Sequence, residues 1–94
     1  MKRNMSVELL KSASKEYAEL PRLEQRRIAR LLDGLERDPL PGGAKKLQGY
    51  SGYRLRSGQY RILYQIDSET SRVLIVRIGL RNHVYRHLER ILGI

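Results

Sequence analysis

The break at Ser57-Gly58, inside YRLRSGQYRILYQI (Tyr53–Ile66), constrains this chain more than any other feature. Strand-forming residues flank it on both sides, so the segment reads as two strands joined by a two-residue hairpin loop. A Ser57-Gly58 loop pairs Arg56 with Gln59, Leu55 with Tyr60 and Arg54 with Arg61. Side chains alternate along a strand, so Arg54, Arg56, Gln59 and Arg61 then share one face. Tyr53, Leu55, Tyr60, Ile62 and Tyr64 take the other. The grouping depends on loop length, since one residue more or less would send the arginines to opposite faces.

Like charges directly opposite each other weaken a ladder, so an Arg54–Arg61 pair makes poor architecture by itself. It makes sense with an anion between them. The alternative is an ordinary salt bridge from Arg61 to Asp67, to Glu69 or to a helix C-terminus.

The remaining elements read outward from this hairpin. Met5–Leu10 has the composition of an edge strand, although the same letters suit the start of a helix. From Ser12, a plausible N-cap, Ala13, Tyr17 and Leu20 follow helical spacing until Pro21. A second helix runs from Pro21 to about Arg37, with Ile28, Leu31, Leu32 and Leu35 as its buried stripe and Asp38-Pro39 as its end. Gly34 inside that helix suggests close packing. Arg22, Arg26 and Arg30 repeat every fourth residue on the other side, a pattern that fits a solvated face or a nucleic-acid contact.

After the Pro39–Gly43 loop, Lys45 and Lys46 precede three strands, about Gly52–Arg56, Gln59–Ile66 and Arg72–Ile78, with Asp67–Ser71 as a polar turn. Asn82–Leu92 reads as a last helix, capped by Asn82, with Val84, Leu88, Ile91 and Leu92 as its apolar stripe and Gly93 as its stop. The order β-α-α-β-β-β-α predicts an α+β fold over residues 1–94 as one domain. Its small antiparallel sheet packs against an N-terminal helical hairpin, and a short C-terminal helix follows.

Charge points to the partner. Fourteen of nineteen basic residues are arginine, against ten acidic residues, for a net charge of +9. Residues 1–42 carry a net +2 and residues 43–94 a net +7. Arginine's planar fork suits bidentate phosphate contacts, so an acidic partner, nucleic acid or protein, is expected. The chain has no cysteine, which excludes disulfides and thiolate metal sites. It has no apolar run near the roughly 20 residues of a membrane span, and its basic start lacks a secretory apolar stretch. A cytoplasmic protein is expected.

Arg81 and Tyr85 are four apart. If helical geometry already holds at Arg81, both project from one side, away from the apolar stripe. Neighbouring guanidinium groups stabilise an ionised phenol and favour proton abstraction, which is half of what RNA cleavage needs. The other half is cationic stabilisation of charge growing on phosphate. A half-buried aromatic at a helix–sheet junction accounts equally well for Tyr85. That chemistry requires no metal or other cofactor. His83 and His87 stand four apart, but no carboxylate or cysteine joins them in a metal-binding motif.

KKLQGYSGYRLRSGQYRILYQID followed by VLIVRIGLRNHVYR resembles the RelE/ParE toxin superfamily, more closely its RelE-type messenger-RNA endonucleases. The resemblance takes in the LERDP helix ending, the KKL segment, the YRLR-x-G-x-YRI-x-Y hairpin and the R-x-G-x-R-x-x-VYR end. It implies a RelE-like fold with a basic concave face. It also implies a toxin that cuts mRNA in the ribosomal A site, inhibits translation, and is held inactive by a cognate antitoxin in a hetero-oligomer.

Carried across by position, the resemblance gives Arg61 the scissile phosphate and Arg81 the leaving group, as acid or charge stabiliser. Tyr85 would orient or deprotonate the 2′-hydroxyl. Arg54 and Arg56 would hold the RNA backbone, and Lys45 or Lys46 would add ribosomal RNA contacts. The products would carry a 2′,3′-cyclic or 3′-phosphate and a 5′-hydroxyl. Leu80 departs from the family, many of whose members have His or Lys there. Leucine carries neither proton nor charge, so any such duty falls to Arg81 or His83. The competing expectations are a ParE-like inhibitor of DNA gyrase, which needs no RNA chemistry, and a non-catalytic nucleic-acid binder.

Overall fold

A computed structural model describes residues 4–93. Its elements are β1 (Ser6–Leu9), α1 (Lys11–Ala18), α2 (Arg22–Arg37), β2 (Lys45–Lys46), β3 (Tyr53–Ser57), β4 (Tyr60–Asp67), β5 (Arg72–Leu80) and α3 (Leu88–Leu92). The strands form a five-stranded sheet in the order β1-β5-β4-β3-β2. From β2 to β5 every pairing is antiparallel, as expected. β1 is the expected edge strand but joins β5 in parallel, so the sheet is mixed. The two-helix excursion between β1 and the rest of the sheet makes that direction possible.

The helical hairpin covers one sheet face. Ala13, Ile28, Leu32 and Leu35 pack there against Leu55, Ile62, Tyr64, Val73, Ile75 and Ile78. On the opposite face Leu47, Leu63, Val76, Val84 and Leu88 form a second, smaller cluster. Val76 reaches it because β5 carries one extra residue between the Leu63–Arg77 and Tyr64–Ile75 pairs. The first cluster builds the scaffold, and the second fixes the segment after β5.

β1 is shorter than β5 and pairs only along Arg72–Ile75, which leaves the end of β5 without a neighbouring strand on that side. Side chains and backbone from the start of the helical hairpin fill the gap. Leu10 N donates to Ile75 O at 2.9 Å, and Ser12 Oγ donates to Val76 O at 3.0 Å. Glu16 Oε1 then accepts from Ile78 N at 3.0 Å. Ser12 therefore does not cap α1, whose N-cap is Leu10 without a side-chain hydrogen bond. Its hydroxyl serves the sheet edge instead, where an unpaired carbonyl would cost more.

The helix expected from Asn82 begins only at Leu88. His83 N and Val84 N both donate to Leu80 O, Arg86 N donates to His83 O, and His87 has φ +58°. Residues 81–87 are a series of turns, and Asn82 is not an N-cap. The Arg77 guanidinium takes the Arg86 carbonyl, which a continuous helix would give to the Arg90 amide. Val84 and Leu88 are nevertheless buried as their spacing suggested. Tyr50 Oη donates to Glu89 Oε1 at 3.3 Å and ties α3 to the loop before β3.

Gly34 does not mediate close packing, since a Cβ there would meet nothing within 4 Å. Gly52 is the opposite case, with φ +136° and a Cβ that would lie 2.6 Å from Tyr64 O. In urea denaturation Gly34→Ala is expected to stabilise the protein by up to about 1 kcal/mol. Gly52→Ala should destabilise it by about 2 kcal/mol or more, because both backbone strain and the clash must be relieved.

Tyr64 Oη donates to Pro39 O at 2.8 Å and anchors the loop that leaves α2. Burial, then the neighbouring Tyr53 and Asp38, push this phenol up to about 12. Below about pH 10 it is neutral in both folded and unfolded chains and gives pH no leverage. Above that the unfolded chain ionises first, so its share of stability is lost as pH rises towards about 12. Ultraviolet titration of the six tyrosines should show a last phenol ionising near the top of this range, absent in Tyr64→Phe.

Candidate functional site

The hairpin loop is Gly58-Gln59, one residue later than expected, and Ser57 pairs with Tyr60. Gly58 has φ +60° while Gln59 keeps a negative φ, the pattern of a turn that demands glycine at its first central position. Arg56 therefore faces Arg61, and Arg54 faces Leu63. Loop length is still two, so the alternation survives, and Arg54, Arg56 and Arg61 share one face. Gln59 leaves that group for the turn. The like-charge pair is real, with Arg56 in the place expected of Arg54.

Arg61 is only 6% exposed. It makes neither of the salt bridges that stood as the alternative to an anion site, to Asp67 or to Glu69. Its Nη1 donates to Gly58 O at 3.3 Å and to Tyr60 O at 3.1 Å. Asp67 is occupied with its own turn, accepting from the Glu69 and Thr70 amides at 3.1 and 3.3 Å. Burial, then Arg56, Arg54 and Arg81, pull the Arg61 guanidinium below its ordinary value, and Tyr85 opposes them. Arginine stays charged in proteins, so the crowding persists as repulsion that a bound anion would relieve.

Arg81 enters from the end of β5. Its backbone N donates to Gln59 O at 3.2 Å, locking the turn after β5 to the hairpin loop. Tyr85 is 41% exposed and lies one residue beyond the buried Val84. Arg81 and Tyr85 meet through these turns, without the helical geometry that spacing suggested. Arg54, Arg56, Arg61, Arg81 and Tyr85 line one cavity of about 290 Å³, and no carboxylate is among them. The ion pairs among the described residues, Glu24–Arg27, Glu8–Arg72 and Glu16–Arg77, leave these four arginines free.

The two lysines separate. Lys45 lies opposite Arg54 in β2 and shares its face, extending the basic surface. Lys46 lies opposite Tyr53 on the other face and lines a different cavity with Pro39, Leu40 and Ser68. Arg22, Arg26 and Arg30 are exposed on α2, across the sheet from the arginine cavity.

Sequence reasoning missed the pair that steadies the cavity's far wall. Arg77 Nη2 and Nε donate to Glu16 Oε2 at 2.8 and 3.0 Å, and its Nη1 donates to Arg86 O. This side chain, 13% exposed, links α1, β5 and the turn that bears Tyr85. The one available signal was an arginine inside the apolar run VLIVRIGL.

Comparison with known proteins agrees with this architecture. A family model described as the ParE toxin of the type II toxin–antitoxin system parDE matches residues 7–85. Toxin RelG of Mycobacterium tuberculosis is 40% identical over 53 residues, which are 55% of this chain and 61% of that protein. The chain thus matches less than two thirds of that relative's length. The RelBE2 toxin–antitoxin complex from Mycobacterium tuberculosis contains a chain 28% identical with TM-score 0.74, covering 83% of this chain and 99% of that one. The archaeal RelE–RelB complex from Pyrococcus horikoshii OT3 gives 28% identity and TM-score 0.74, covering 86% and 99%. With the family model spanning both helices of the hairpin, the whole β2–β5 meander and the turn at Tyr85, the chain belongs to the RelE/ParE superfamily of type II toxins.

Proposed function

We propose that this toxin is a ribosome-dependent endoribonuclease that cuts translated mRNA and so inhibits translation. The observation that carries the reading is the cavity in which four guanidinium groups and one phenol converge without a carboxylate. Such a site holds a phosphodiester well, because bidentate arginine contacts match its oxygens. Tyr85 orients the ribose 2′-hydroxyl and takes its proton. The 2′-oxygen then bonds to phosphorus as the bond to the 5′-oxygen breaks. Arg61 stabilises the charge on the phosphate oxygens, and Arg81 stabilises the charge on the departing 5′-oxygen, which takes its proton from water. Arg54, Arg56 and Lys45 hold the backbone on either side. Lys46, on the other face, is left for ribosomal RNA. Leu80 brings no proton to this step.

Mapping of cleaved ends after brief induction should place cuts within codons and leave 5′-hydroxyl termini. Arg61→Ala and Arg81→Ala should each lower cleavage by about 10²–10³-fold, and Tyr85→Phe by about 10²-fold or more. All three should relieve growth arrest. Undiminished toxicity in the three variants would refute the assigned roles.

The ParE description of the matching family favours a second reading, inhibition of DNA gyrase by binding. That reading leaves the arginine–tyrosine cavity without a task. A supercoiling assay with purified protein separates the two, since inhibition of gyrase without cut mRNA would select it.

The complexes with RelB support an antitoxin partner here as well. We assign it an acidic, partly disordered segment that folds over the basic face. Its association should slow as salt is raised from 0.05 to roughly 0.5 M, where screening shortens to a few Å. A salt-independent association rate would argue for an apolar contact instead.

A further inference from the structure

A second cavity adjoins the first and has no role in the chemistry above. It measures about 330 Å³ and is lined by Arg56, Gly58, Gln59, Arg61, Leu80, Arg81 and Asn82. Arg56, Arg61 and Arg81 line both cavities, so their guanidinium groups form the divide between them. Tyr85 lies on one side of that divide. Leu80, Gln59 and Asn82 lie on the other.

The chemical character of the second side differs from the first. Leu80 is 39% exposed, an apolar surface beside three cations. The side-chain amides of Gln59 and Asn82 are exposed and, among the described residues, take part in no hydrogen bond. The backbone that carries them is held, since Gln59 O accepts from Arg81 N, and Leu80 O, across Asn82, accepts from His83 N and Val84 N. Free amides beside an apolar surface are what an unstacked nucleobase needs: donor and acceptor for its edge, and a contact for its ring.

We infer that this cavity seats the nucleotide on the 3′ side of the cut, with Leu80 against the base and Gln59 and Asn82 at its edge. The inference rests on the nuclease reading, with Tyr85 at the 2′-hydroxyl. Displacement at phosphorus runs roughly in line, so the attacking 2′-oxygen and the leaving 5′-oxygen lie on opposite sides of the phosphate. With the phosphate on the arginine divide and the 2′-hydroxyl at Tyr85, the leaving oxygen points into the second cavity. The nucleoside attached to that oxygen is the 3′ neighbour. Leu80, which departs from the family's basic residue, thereby acquires a role in substrate choice.

The test is cleavage of an mRNA pool randomised on both sides of the cut, by purified protein with ribosomes, read by end sequencing. Wild-type protein should show a base preference at the first 3′ position. Gln59→Ala, Asn82→Ala and Leu80→Ser should each flatten that preference by about fivefold or more, the discrimination one base-edge contact carries. The preference at the first 5′ position should stay as in wild type. Arg61→Ala should instead depress cleavage of all sequences together. Retention of the 3′ preference in all three variants, or its loss equally on both sides, would overturn the assignment while leaving the nuclease reading intact. Absence of cut RNA from wild-type protein would overturn both.

Discussion

A positive charge buried without a carboxylate has to take its hydrogen bonds from the backbone, and Arg61 takes them from Gly58 and Tyr60 in its own hairpin. That requirement ties the site to the turn. The turn needs glycine at its first position, the two-residue loop puts three arginines on one face, and Gln59 O reaches out to fix Arg81. The result is an array of guanidinium groups that the fold leaves without a carboxylate among them. Its repulsion is a standing cost, and an anion is what offsets it.

β5 is the structural counterpart of that array. It pairs with β4 along its whole length and with β1 along its first half, and the start of the helical hairpin serves its second half through Leu10, Ser12 and Glu16. Arg77, in the same strand, holds Glu16 on one side and the Arg86 carbonyl on the other. The position of Tyr85 therefore depends on α1, an element that contributes nothing to either cavity of the site. Val84 and Leu88 supply the apolar half of the same anchoring.

Much of this was legible in the residues, for reasons that differ from element to element. The arginine face was readable because alternation depends on the loop's length and not on its position. Sliding the loop from Ser57-Gly58 to Gly58-Gln59 moved each partner by two while leaving the faces unchanged. The last helix was misread over Asn82–His87 because Val84 and Leu88 keep helical spacing, yet burial of both is reached through turns and a left-handed His87. Ser12 looked like a cap because serine caps helices; nothing in its neighbours announces a strand edge 64 residues away. Arg77 and Glu16 were invisible for the same reason, being 61 residues apart. Local pattern carried the elements and the face. Long-range pairing carried the rest.

The parallel pairing of β1 with β5 has a consequence for how the molecule comes into being. Ser6 meets Arg72, so the sheet cannot close until β5 is available, and such distant contacts form late. Arg81 and Tyr85 come later still in the chain, and they complete the cavity. A chain still emerging during synthesis thus holds Arg54, Arg56 and Arg61 before Arg81 and Tyr85 can join them. The order of residues keeps the cavity unassembled until Arg81 and Tyr85 have been made.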